Sequence, residues 1–250
     1  MVTVQSEYGR ISLFDDFCGP EIPIGNDVAY GTTAGGCNYY IGPYKVTGDM
    51  ADTDAGVVGL AISGGAVRLT GTNEDGEGMC IGTEAVFSPT LNGTLVAETR
   101  VQTQVITARN LWFGFCDDNI DLVNEPVQAT GTTLTLSASD LCGFVFNSEL
   151  SSDNWHMAYN GGTTTGATDS TTVVSDVTVA GTAWDILRIE ITPIGTASWY
   201  INGVLKQTVE NAVSTTVLQA AFVGCFGTAA TVTDIDVDYL AVSANRDWTV

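Results

Sequence analysis

The side chains best suited to chemistry in this chain are carboxylates at alternate positions. In "DIDVDY", Asp234, Asp236 and Asp238 share one face of an extended strand, about 7 Å apart, with Ile235, Val237 and Tyr239 on the other. Such a row is either a solvated face or a place where a cation, or a partner's Lys or Arg, relieves the repulsion. In "DDNIDLVNE", Asp117, Asn119, Asp121 and Glu125 set oxygen donors at alternate positions, as a calcium loop does. The EF-hand pattern fails there, because Leu122 stands where the sharp turn needs Gly and the last carboxylate comes too early. A solvated acidic loop is the simpler reading; calcium is the one cofactor that either group suggests.

His156, in "DNWHMAY", is the single histidine, so a two-histidine metal site is excluded. Without a G-x-S-x-G elbow no Ser-His-Asp triad is indicated, and a strand or loop histidine beside Trp155 is expected. No catalytic residue is assigned. Tyr39, Tyr40, Tyr44, Trp155 and Tyr159 stand in Gly-rich contexts where exposed rings build a glycan-stacking or partner-contacting surface. Packing under loops or against a neighbouring subunit is the more economical use of the same rings.

The scaffold that positions these groups is bounded by composition. A chain of 250 residues supports one large β-sandwich or two small domains. Net charge is −21, from 29 acids against 8 bases, which argues against nucleic acid and anionic membranes as partners. The N-terminus lacks a basic segment followed by an apolar run, and no stretch approaches about 18 apolar residues, so a soluble chain without a Sec-type signal is expected. Six cysteines are scattered without a C-x-x-C pair. Those in "LWFGFC", "LCGFVF" and "FVGCF" read as small buried hydrophobes, with at least one disulfide as the alternative.

Strand signals recur along the chain. "ISLFDDF" reads as a first strand, "CGPEIPIGNDVAYGTTAGGCNYYIGPY" as a long loop, and "GVVGLAIS", "GGAVRLTGT" and "MCIGTEAVFS" as strands. "TLVAETRVQTQVI" alternates, so one face is wet, whereas "NLWFGFCDD" is apolar on both faces and belongs mid-sandwich with Trp112 as core anchor. Residues 117–183 read as strands carried by long polar loops. "WYINGVLKQT" is a hairpin whose Asn202-Gly203 supplies a type I′ turn. No helix of three turns is evident. The economical organisation is an N-terminal arm over 1–12, one sandwich domain over 13–243 and a tail over 244–250.

Three segments, "LFDDF" at 13–17, "WDILRIEITPIGTASWYINGVLKQT" at 184–208 and "IDVDYLAVS" at 235–243, resemble the concanavalin A-like (laminin G-like) jelly-roll superfamily. The resemblance implies an all-β fold, an antiparallel jelly-roll β-sandwich with long loops. Laminarinase-like members carry E-x-D-x-x-E on one strand, a spacing that Glu98, Glu190 and Asp234 do not reproduce. More narrowly, "DDF" with a Gly-rich body is similar to phage virion proteins of this fold. That implies a non-enzymatic structural protein, an outer capsid decoration (cement) protein made in the host cytoplasm and placed on the capsid exterior. Its expected partners are the major capsid protein or another virion protein, and its expected state a homotrimer. The alternative is a lectin-like carbohydrate-binding module or host-glycan adhesin of the same fold.

Overall fold

The computed structural model describes residues 9–19, 39–48, 55–71, 73, 75–117, 125–228 and 231–247. They form two eight-stranded antiparallel sheets and one separate two-stranded hairpin. The first has eight strands: Val204–Val209 (β16), Ala197–Ile201 (β15), Asp185–Ile191 (β14), Leu95–Gln102 (β7), Asp234–Asn245 (β18), Val67–Thr70 (β5) and Gly56–Gly59 (β4), with Arg10–Asp15 (β1) also on β18. The second runs Val174–Thr178 (β13), Asn154–Asn160 (β12), Leu141–Asn147 (β11), Asn110–Cys116 (β8), Ala220–Phe226 (β17), Gly78–Gly82 (β6), Tyr44–Gly48 (β3) and Tyr39–Ile41 (β2). Among the described residues the α-helix is limited to one turn, Pro89–Asn92 (α1), whose N-cap Ser88 accepts a hydrogen bond from Leu91 N–H.

Side-chain alternation assigns each sheet its faces. In β7 and β14 every second residue is buried, so the first sheet turns one face to the core and one to solvent. β8, β11 and β17 are buried along their whole length. The second sheet is therefore covered on both sides, as the doubly apolar "NLWFGFC" requires. The main core between the sheets holds Phe113, Phe115, Phe144, Phe146, Trp155 and Trp199. Trp112, by contrast, anchors a second apolar layer on the far side, with Phe222, Phe226 and Val145.

That second layer is closed by chain from the 117–183 region. The hairpin Val127–Thr130 (β9) and Thr133–Leu136 (β10) contributes Val127, Ala129 and Leu134 to it, joined by Leu150, Ala167 and Val173. The expectation of strands on long polar loops is corrected here. The Thr- and Ser-rich wording hides a covering hairpin in which Val127 and Ala129 are buried and Gln128 and Thr130 exposed. Gly143 is required at the centre of the sheet, because a Cβ there would overlap the Trp112 ring on one side. Its carbonyl accepts from the Trp199 indole at 3.1 Å.

The "YYIGPY" stretch, expected as loop, is also a hairpin, β2 with β3. β1 begins at Arg10 and β18 ends at Asn245, and these two residues are register partners, so 10–12 and 244–245 pair within the sheet. The Asn202-Gly203 turn stands as expected, with φ of 52° and 78° at its two central residues.

The largest departure from simple alternation is in β18. Its register shifts between Val237 and Tyr239, leaving Asp238 as the extra residue of a bulge. Before the bulge Ile235 and Val237 face the core; after it Leu240, Val242 and Ala244 do. Tyr239 therefore stands on the solvent side, which corrects its expected place beside Ile235 and Val237. The bulge also marks the change of neighbour, from β5 over 234–237 to β1 over 240–245.

Candidate functional site

The solvent face of the first sheet carries a charged network centred on its middle strands. Glu98 on β7 and Arg188 on β14 are direct register partners, which sets Arg188 Nη1 3.3 Å from Glu98 Oε2. Glu190, two positions along the same face, takes two further hydrogen bonds from Arg188, at 2.9 and 2.5 Å. Burial works against the charged guanidinium, but these two carboxylates outweigh it and hold its pKa above the ordinary arginine value. The bulge completes the network by turning Tyr239 outward, where its phenol donates to Glu98 Oε1 at 2.7 Å. Burial and then the Glu98 carboxylate push that phenol up, so it remains a donor.

Beside this network lies a groove of about 300 Å³. Its lining includes Ser12 and Phe14 from β1, Glu98 from β7, Arg188 from β14, and Ala241 and Ser243 from β18. Ser12 and Ser243 are register partners, as are Phe14 and Ala241. Phe14 is 38% exposed, and its ring centroid lies 6.1 Å from that of Tyr239. A flat apolar ring, two hydroxyls and a planar guanidinium–carboxylate array thus share one shallow cleft.

The three aspartates singled out in the sequence lie on the neighbouring part of the same sheet. Each meets an arginine of this chain: Asp234 with Arg109 at 3.2 Å, Asp236 with Arg68 at 2.6 Å, and Asp238 with Arg100 at 2.6 Å. Asp236 also accepts from Gln104 at 2.9 Å. Arg100 in turn lies 4.6 Å over the Trp184 ring. The repulsion that a cation was expected to relieve is met within the fold.

Asp117 lies far from these residues in the fold, at the end of β8. Its Oδ1 accepts from Asp140 N–H at 2.9 Å and its Oδ2 from the Ser139 hydroxyl, closing the turn into β11. Asn119 and Asp121 fall outside the described residues. Glu125 is buried, accepts from Asn110 Nδ2 at 2.5 Å, and has its pKa raised chiefly by burial. Among the described residues no group of three or more His, Cys, Asp or Glu side chains is arranged to hold a metal ion.

The aromatic candidates divide. Trp155 on β12 and Tyr44 on β3 are 2% and 0% exposed, which corrects their candidacy as exposed glycan- or partner-contacting rings and agrees with packing as the more economical use. Trp155 packs edge-on against Phe144 and Phe146, and the Tyr44 hydroxyl donates to Leu240 O at 2.8 Å. Tyr159 is half-buried against Trp199. Tyr40 is 54% exposed. The side chain of Tyr39 lies outside the described residues. His156 is buried in β12, with burial pushing its pKa down and Nδ1 unpartnered. Cys80, Cys142 and Cys225 are free and buried, Cys116 is buried, and Cys18 is free and exposed; Cys37 lies outside the described residues.

Sequence reasoning missed the groove. Its signals were present in the alternating "TLVAETR" and "DILRIEI" patterns, but their juxtaposition depends on strand register, and Tyr239 reaches the adjoining charged network only through the bulge.

Neither a protein-family model nor a curated protein sequence matches the chain. Solved structures do. A protein of unknown function from Shewanella oneidensis aligns with a TM-score of 0.55 at 9% identity, over 100% of this chain and 92% of that one. A Bacillus licheniformis β-glucanase aligns at 0.51 with 12% identity, over 92% and 97%. Peanut lectin aligns at 0.50 with 12% identity, over 94% and 97%. At these identities the likeness shows the fold, a jelly-roll β-sandwich of the concanavalin A-like type.

Proposed function

We propose that the protein is a non-catalytic, lectin-like binding module that holds carbohydrate in the groove over β1, β18, β7 and β14. The observation that carries this reading is the placing of an exposed ring, Phe14, in one cleft with the paired Arg188 and Glu98, with Glu190 holding Arg188 from beside it. Saccharides offer a flat C–H face for stacking and hydroxyls that both donate and accept, and the cleft supplies a partner for each. Its volume of about 300 Å³ lies at the small end of ligand sites, which suits a short saccharide. The outer face of the second sheet offers no comparable platform, because Trp112, Phe222 and Phe226 there are buried.

The test is isothermal titration of the full chain against a panel of oligosaccharides, with product release followed in the same mixtures. Saturable binding without shortened products is the expected result. Cleavage of a bound oligosaccharide overturns the non-catalytic reading, and the absence of binding across the panel overturns the carbohydrate reading.

A second reading, attachment to a virion shell through the major capsid protein, is favoured by exposed apolar residues at one end of the sandwich. Val86, Leu91 and Ile194 stand beside the 211–219 segment, which itself exposes Leu218 and accepts from Val86 N–H at Gln219 O and from Thr90 N–H at Thr215 O. The two roles are compatible. Co-sedimentation with shells lacking the protein, with the mass of the free oligomer measured alongside, tests the second. Stoichiometric binding as a trimer supports it, and a monomer left in the supernatant removes it.

A further inference from the structure

Resting on the carbohydrate reading, we infer that the groove selects neutral saccharides, recognising a vicinal hydroxyl pair, over anionic ones. The selectivity comes from how the charges in the groove are already committed. Arg188 donates twice to Glu190 and once to Glu98, which leaves N–H groups over on Nη1 and Nη2. Glu98 accepts from Tyr239 on one oxygen and Arg188 on the other, and each carboxylate oxygen keeps a further lone pair. The unsatisfied capacity is therefore mixed, with donors and acceptors side by side.

A pair of neighbouring hydroxyls matches that mixture, one donating to a carboxylate while the other accepts from the guanidinium. A uronate or sialyl carboxylate does not match it. It brings another negative charge beside Glu98 and Glu190, which outnumber the Arg188 guanidinium they share, on a protein of net charge −21. The rest of the ring lies on Phe14, with Ser12 and Ser243 in the same lining.

The experiment is a glycan array carrying neutral, uronate and sialylated oligosaccharides, probed with the wild-type chain and with Phe14→Ala and Ala241→Trp. The first variant removes the stacking face and the second fills the cleft, and thermal melts establish that each is folded. Neutral glycans are expected to dominate the wild-type profile, with Phe14→Ala weakening them about tenfold and Ala241→Trp abolishing them. A profile led by acidic sugars overturns the selectivity while leaving the carbohydrate reading intact. Neutral binding that both folded variants retain overturns the groove as its place. A blank array overturns the selectivity and the underlying reading together.

Discussion

Trp155 and Asp185 join the two sheets: the indole Nε1 on β12 donates to Asp185 Oδ2 on β14 at 2.9 Å, with both side chains buried. The other carboxylate oxygen, Oδ1, accepts from Asn202 Nδ2, also at 2.9 Å, and Asn202 Oδ1 accepts from Ile186 N–H. One carboxylate thus ties a core tryptophan of one sheet to the hairpin tip of the other. Asp185→Ala leaves a buried indole N–H and an amide without acceptors, and a loss of about 2–4 kcal/mol is expected in guanidinium unfolding. A loss below about 0.5 kcal/mol would show that water takes over the acceptor role.

The turn itself is a backbone matter. Gly203 has φ of 78°, and a Cβ there meets nothing within 4 Å, so a side chain is opposed by conformation and not by space. Gly203→Val should lower stability by about 1–2 kcal/mol, and Gly203→Asn by less, since Asn tolerates the left-handed region. Equal stability of the two variants, measured by thermal melts, would refute the type I′ assignment.

A buried acid sets a pH dependence. Asp140 accepts from Ser214 N–H at 2.8 Å and from the Gln219 amide, and burial, with Asp117 nearby, raises its pKa to about 7. The folded chain therefore holds a proton that the unfolded chain releases near its ordinary value of about 4. Between those values the native state binds more protons, so this group's contribution falls as pH rises, by an amount on the order of 4 kcal/mol across the window. The difference in stability between wild type and Asp140→Asn, followed by urea unfolding from pH 4 to 8, should change by kcal/mol over that range. A flat difference would place the titration elsewhere.

The Arg68–Asp236 pair predicts indifference to calcium on this face. Asp236 is 1% exposed, and Arg68 and Gln104 both depend on it. Asp236→Ala should cost about 2 kcal/mol, because it strands a guanidinium that is only partly hydrated. Calcium is expected to leave the wild-type melting temperature unchanged through this site. A calcium-dependent rise that disappears in Asp236→Ala would show that the ion displaces Arg68.

Local wording was a good guide wherever one force acted alone. "LWFGFC" announced a strand covered on both sides because an apolar side chain on either face must leave water. "TLVAETR" announced one wet face, and "ING" announced its turn, because φ above zero is tolerated by few residues. The same reasoning left the outcome open where distant elements decide it. Trp155 and Tyr44 carry polar groups and sit among glycines, so exposed stacking stood beside packing; the distant acceptors Asp185 and Leu240 decided for burial. The 117–183 region read as strands on long polar loops because its apolar residues are sparse between the strands, yet Val127, Ala129 and Leu134, with Leu150, Ala167 and Val173, form a layer over the second sheet.

By itself, then, the sequence determined the all-β class, the wet and dry faces of individual strands and the hairpin tip, since these follow from period-two alternation and backbone sterics within a few residues. The tertiary structure alone decided the groove and the fate of the three aspartates. Strand register set Arg188 opposite Glu98, the Asp238 bulge turned Tyr239 outward, and Arg68, Arg100 and Arg109 came from distant segments to neutralise the acids. Pairings of this kind span from 90 to 168 residues of chain, and no local rule of spacing sees across that distance.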